Sequence, residues 1–187
     1  MIFNHTGLQG AYVIELERIE DSRGFFARAW CQKEFEKAGL EANFVQCNLS
    51  FNASKGTVRG MHFQKHPYEE VKLVRCTKGE IFDVIVDLEP TSGTYMKWFG
   101  IHLTEKNYKM LYVPKNYAHG YQTLCDESEI FYQVSQFYVQ GSEGGLRWDD
   151  PELAIQWPIT KRLTISDKDK SWPGFSDAHE TGRGKNK

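Results

Sequence analysis

The side chains best suited to chemistry gather in four short stretches of the chain. Residues 58–64 place Arg59 and His62 on either side of Gly60, and residues 71–75 set Lys72 among apolar neighbours. An imidazole can take or give a proton near neutral pH. A lysine in an apolar strand is costly to bury without a partner or a task. Arg59 and His62 are an odd number of residues apart, so a regular strand sends them to opposite faces. A kink or bulge at Gly60 would turn both into one cavity. A solvated edge lysine and a hydrogen-bonded core histidine are the purely structural alternatives.

The other three stretches are equally two-sided. Residues 113–120 carry His119 between a turn and an aromatic strand, where it could line the mouth of a barrel. Tyr132 shares a strand face with Val134, and Tyr138 lies further on. A phenol facing an interior is either a proton donor or a core tyrosine bonded to a backbone carbonyl. Residues 166–169 read Ser-Asp-Lys-Asp. A serine followed three residues later by a carboxylate is a helix-capping pattern, and the alternative use of Asp169 is to orient His62. No metal is expected. A histidine pair beginning at His62 would need a second imidazole at position 64, which is Gln64, and Lys72 would set a positive charge beside the ion.

These groups must be held by strands. Apolar runs at residues 11–16, 44–51, 80–88, 98–103, 109–114, 117–124 and 129–138 alternate with turn signals at Lys78-Gly79, residues 89–93 and residues 125–128. Residues 80–88 alternate strictly: Phe82, Val84, Val86 and Leu88 face one way, and Ile81, Asp83, Ile85 and Asp87 the other. Short strands at regular spacing predict an antiparallel sandwich or barrel. Two short helices are expected, one over residues 31–40 ending at Gly39 and one starting at Ser166. There is no GxGxxG, no phosphate-binding glycine loop and no run of long helices, so a dinucleotide-binding α/β fold is not expected.

Composition narrows the partners. Among 187 residues, 23 Lys and Arg face 25 Asp and Glu, for a net charge of −2. A polyanion binder needs a basic excess. Aromatic residues make up 14%, which suits strands and supplies flat stacking surfaces. The N-terminus shows no secretory pattern and no apolar run is long enough to span a membrane, so a cytoplasmic protein is expected. Cys31, Cys47, Cys76 and Cys125 form no CxxC pair and are expected to be small buried hydrophobes in a reducing compartment. Residues 1–180 are expected to form one domain, with a polar, frayed tail at 181–187.

Eight segments in order, at residues 21–26, 44–48, 58–64, 72–88, 113–121, 129–138, 146–151 and 165–169, resemble the dTDP-4-dehydrorhamnose 3,5-epimerases. The resemblance runs from about residue 8 to residue 175. It implies a mainly β, cupin-type double-stranded β-helix (a jelly-roll barrel with a few short helices). It also implies a homodimer, no cofactor, and a nucleotide-linked 4-keto-6-deoxy sugar as substrate. Carried over by position, His62 is the general base, Asp169 its partner and Tyr132 the general acid. Arg59, Lys72 and His119 hold the substrate, Lys72 also meeting the developing enolate. Gln46, Asn48, Glu143 and Lys168 fall at nucleotide-sugar contacts. Arg23 and Phe26 resemble an arm that reaches the base across the dimer, and Tyr138 the ring that stacks on it.

The implied chemistry suits these residue types. A 4-keto group acidifies the hydrogens on C3 and C5 because the carbanion delocalises as an enolate. An imidazole backed by a carboxylate can take such a proton, and a nearby ammonium stabilises the enolate oxygen. Inversion needs a second donor on the opposite face. The chain departs from the family pattern at Arg28, usually Glu and part of nucleotide recognition, and at Glu70, often Gln, and Gln133, commonly Lys. Two other functions fit parts of the pattern. A 3,4-ketoisomerase would move the carbonyl instead of inverting centres, and a binding-only barrel would have no use for an acid–base set.

Overall fold

The computed structural model describes residues 1–175. The expected tail at 181–187 and the last residues of the expected 1–180 domain lie outside the described residues. The chain opens with β1 (Ile2–His5) and β2 (Tyr12–Glu15), then a small hairpin of β3 (Ile19–Asp21) and β4 (Gly24–Phe26). Helix α1 (Gln32–Lys37) precedes a run of eight strands: β5 (Gln46–Asn52), β6 (Thr57–Gln64), β7 (Lys72–Lys78), β8 (Glu80–Asp87), β9 (Trp98–Thr104), β10 (Met110–Val113), β11 (Tyr117–Thr123) and β12 (Ser128–Val134). The short β13 (Glu143–Gly145), β14 (Thr164–Ile165) and α2 (Asp167–Lys170) follow.

Two sheets face each other. The first has the order β1-β2-β10-β7-β12-β5, and the second β13-β6-β11-β8-β9 with β14 against β6. From β5 to β12 the chain divides four strands to each sheet, the pattern of the jelly roll expected from the resemblance. All pairings are antiparallel except that of β14 with β6. The strict alternation of β8 has a direct consequence. Ile81 and Ile85 enter the core between the sheets with Val74, Leu111 and Ile130. Phe82, Val84 and Val86 turn outward, where Leu146, Trp157 and Phe175 from the C-terminal segments cover them.

The outer face of the first sheet is covered by α1. Its Phe35 is fully buried against Ile14, Leu73, Met110 and Tyr112. The helix stops at Gly39, whose φ of 72° is a left-handed conformation glycine adopts freely. Gly39 N–H donates to Glu36 O at 3.0 Å and Leu40 N–H to Phe35 O at 2.9 Å, satisfying carbonyls the helix end leaves open. The cysteines differ from one another. Cys76 is buried and desolvation pushes its thiol up to about 12, so it is unreactive. Cys47 is exposed, contrary to expectation, because Gln46 and Asn48, its neighbours on β5, take the inward face.

Candidate active site

Between the sheets lies a cavity of about 480 Å³, a size that admits a small organic ligand. Its walls include His62, Arg59 and Gln64 of β6, Lys72 of β7, His119 and Tyr121 of β11, Tyr132 of β12, and Gln46 and Asn48 of β5. Tyr138 and Glu143 also line it. Side chains from both sheets therefore meet across one space, His62 from one and Tyr132 from the other.

The odd spacing of Arg59 and His62 is resolved at Gly60. His119 pairs with His62 but Tyr121 pairs with Arg59, so β6 carries one extra residue between those pairs. Such a bulge returns both side chains to the cavity. Gly60 has a φ of 127°, and a Cβ there would lie 2.6 Å from Gly120 Cα and 2.9 Å from His119 O. Glycine is required on both counts.

His62 Nε2 lies 2.6 Å from Asp169 Oδ1. An ionised carboxylate only accepts, so Nε2 is the donor, and in the neutral imidazole Nδ1 keeps the lone pair. Asp169 also serves its helix: its N–H donates to Ser166 Oγ at 3.1 Å. The two roles proposed for residues 166–169 are thus both filled, the cap by Ser166 and the orienting contact by the Asp169 carboxylate. Burial opposes ionisation of Asp169, but the His62 hydrogen bond and charge, the Gly60 N–H and Trp172 outweigh it and hold the carboxyl below its ordinary range.

Lys72 is not a solvated edge residue. Its ammonium contacts the Glu70 carboxylate, and the two side chains are 9% and 12% exposed. Arg59 Nε donates to Asn52 Oδ1 at 2.8 Å. Gln46 Nε2 donates to Asn48 Oδ1 at 2.9 Å. Lys168 pairs with Glu143 at 2.6 Å, a contact that raises the lysine above its usual value. Burial, Tyr121 and Glu70, in that order, raise the Tyr132 phenol, with Arg59 opposing.

Lys168 and Asp169 stand behind the lining, on Glu143 and His62, while Arg23, Phe26 and Arg28 stay away from this cavity in their own chain. Arg23 pairs with Asp21 at 2.6 Å and is largely exposed, Phe26 is 67% exposed, and Arg28 reaches Glu34 at 2.9 Å. Among the residues not expected at the site, Gln64 and Tyr121 wall the cavity, and two more stand out. Asp83 is fully buried, its Oδ1 2.8 Å from His119 Nε2. The signal was present in the β8 alternation, which puts this acid on the face of Ile81 and Ile85. Trp172 walls the cavity beside His62, with ring centroids 6.3 Å apart. A Cβ on Gly145 would lie 2.3 Å from its indole, so that glycine admits the ring. Nothing in the local pattern distinguished Trp172. Among the described residues, no three His, Cys, Asp or Glu side chains gather where they could hold a metal.

A jelly-roll barrel holding an imidazole–carboxylate pair opposite a phenol defines an enzyme of the cupin type built for proton transfer. The dTDP-4-dehydrorhamnose 3,5-epimerase family model matches residues 5–177. A dTDP-4-dehydrorhamnose 3,5-epimerase of Shigella flexneri is 41% identical over 174 residues, 92% of this chain and 95% of that protein. A crystal structure of dTDP-4-dehydrorhamnose 3,5-epimerase from Elizabethkingia anophelis NUHP1 superposes with a TM-score of 0.92 at 38% identity, covering 95% of this chain and 97% of that one. The dTDP-6-deoxy-D-glucose-3,5-epimerase of Legionella pneumophila Philadelphia 1, solved in complex with dTDP-4-keto-L-rhamnose, gives a TM-score of 0.86 at 33% identity, covering 92% of each chain. The chain belongs to the dTDP-4-dehydrorhamnose 3,5-epimerase family, and it is an epimerase.

Proposed function

We propose that the cavity inverts C3 and C5 of a dTDP-linked 4-keto-6-deoxyhexose in deoxysugar synthesis, with His62, Asp169 and Tyr132 as its acid–base set. One observation carries this assignment: His62, backed by Asp169 of α2, and Tyr132 reach the cavity from opposite sheets. His62 Nδ1 takes the proton from the carbon next to the ketone. The C–H electron pair moves into the carbonyl, giving an enolate. Asp169 stabilises the imidazolium formed, and Lys72 the enolate oxygen. As the ketone reforms, the carbon takes the Tyr132 proton on its other face. Solvent then restores Tyr132 and His62.

The remaining assignments follow the chemistry of a nucleotide sugar. Arg59 and His119 hold the substrate, and Arg59 and Arg23 supply cations for its diphosphate. Gln46, Asn48, Glu143 and Lys168 contact the nucleotide sugar, and Tyr138 stacks on the base. Arg23 and Phe26 act in the neighbouring site of a homodimer, and Arg28 contacts the nucleotide. The hairpin β3–β4 supports this arm, because it pairs with neither main sheet and exposes Ile19 and Phe26. No described helix is long and apolar enough to cross a membrane, and the four free cysteines suit a cytoplasmic enzyme.

The test is NMR in deuterated water with a panel of 4-keto-6-deoxy sugar nucleotides. Deuterium is expected at C3 and C5 with the unaltered protein and at neither with His62→Ala. Exchange at C3 alone would make it a 3-epimerase, and a product with its carbonyl moved to C3 would make it a ketoisomerase.

A further inference from the structure

The Lys72 ammonium is held in the cavity by a carboxylate to which the proposed function gives no task. Glu70 lies just ahead of β7, and Lys72 begins it. Glu70 Oε1 contacts the ammonium, and Oε2 accepts from Gln64 Nε2 at 3.2 Å. Gln64 cannot turn away. Its Oε1 accepts from Val139 N–H at 3.0 Å and from the Ser142 hydroxyl at 2.8 Å, and its Nε2 also donates to Phe137 O at 3.2 Å. The carboxylate is therefore fixed between an amide and an ammonium. Exposed ion pairs contribute little. This one is nearly out of water, where charges couple strongly and a lone ammonium is costly.

We propose that Glu70 is a positioning residue of the epimerisation, fixing the Lys72 ammonium where the enolate oxygen develops; this rests on the function proposed above. The same carboxylate supports the acid. It is one of the groups that raise the Tyr132 phenol, after burial and Tyr121, so it helps keep the proton Tyr132 donates. The other titratable groups sharing the cavity are Arg59 and His62 of β6, His119 and Tyr121 of β11, and Tyr138 and Glu143. Glu143 is engaged by Lys168, which leaves Glu70 as the anion at Lys72.

Glu70→Gln keeps the shape and removes the charge. It is expected to lower kcat about tenfold, less than loss of a direct electrostatic donor, with KM nearly unchanged. The alkaline limb of kcat should move to lower pH, as for a lost neighbouring charge. Glu70→Asp keeps the charge with a shorter reach, so kcat should fall while the limb stays in place. If Glu70→Gln shows no thermal transition, Glu70→Asp carries the test alone. An unmoved limb in Glu70→Gln, an unchanged or higher kcat in either variant, or a displaced limb in Glu70→Asp overturns the proposal. So does a loss confined to KM, which would make Glu70 a substrate ligand. Failure of the underlying function looks different, since the unaltered enzyme would then incorporate no deuterium.

Discussion

His62 Nε2 and Asp169 Oδ1 lie 2.6 Å apart, although 107 positions separate the residues along the chain. The contact ties β6 to α2, whose cap at Ser166 sets the position of the Asp169 backbone. The imidazole is thereby oriented from behind, with Nδ1 turned away from the carboxylate.

Asp169→Asn keeps the shape and removes the charge. Its deuterium exchange should fall by roughly 10²–10⁴-fold, with substrate binding nearly intact. Single-turnover exchange and equilibrium binding of the sugar nucleotide separate the two effects. Full exchange in this variant would rule out the dyad.

The same pair makes stability depend on pH. Asp169 is held below its ordinary value of 3.8 in the folded state. A depressed carboxyl contributes stability that is fully present above the unfolded value and lost as pH falls through the lower folded value. Denaturant melts should therefore show the unaltered protein ahead of Asp169→Asn near pH 6. The gap should close below about pH 4. A gap independent of pH would place the effect in packing.

Tyr132→Phe should slow turnover by roughly 10²–10⁴-fold, as expected for loss of a general acid. Because burial raises the phenol above its ordinary value of 10.0, the unaltered enzyme should keep its acid form past that pH. A pH–rate profile whose alkaline limb survives unchanged in Tyr132→Phe would assign that limb to another group.

His119→Ala would strand the Asp83 carboxylate. Asp83 is fully buried, its Oδ1 is 2.8 Å from His119 Nε2, and its Oδ2 has no hydrogen-bond partner among the described residues. Removing one member of a buried pair costs about 3–5 kcal/mol. A urea melt should show a loss of that order, and a loss below about 1 kcal/mol would mean the pair is effectively solvated.

If the β3–β4 arm serves the neighbouring site, Arg23→Ala and His62→Ala proteins should complement each other. A mixed dimer holds one site with both His62 and a partner's intact arm. Activity should rise on mixing and co-refolding, and a mixture no better than its components would confine each arm to its own chain.

Much of the barrel was legible because its signal is local. The alternation of residues 80–88 reports a strand buried on both faces. The turn at Gly39 marks a helix end. The short β1, β3, β4, β13 and β14 are not marked by the strand pattern, since pairing rather than side-chain alternation makes them strands. The site was legible mainly through the ordered motifs, which pointed to His62, Asp169 and Tyr132 without saying how they meet.

What the sequence determined by itself was the type of strand, the glycine at position 60 and the set of residues able to move protons, because each depends on one side chain or its nearest neighbours. What only the tertiary structure decided was their company. Asp83 behind His119, Glu70 at Lys72 and Trp172 beside His62 are encounters created by sheet pairing, bulges and the return of the C-terminal segment. A local pattern cannot encode them, because each depends on where distant backbone comes to rest.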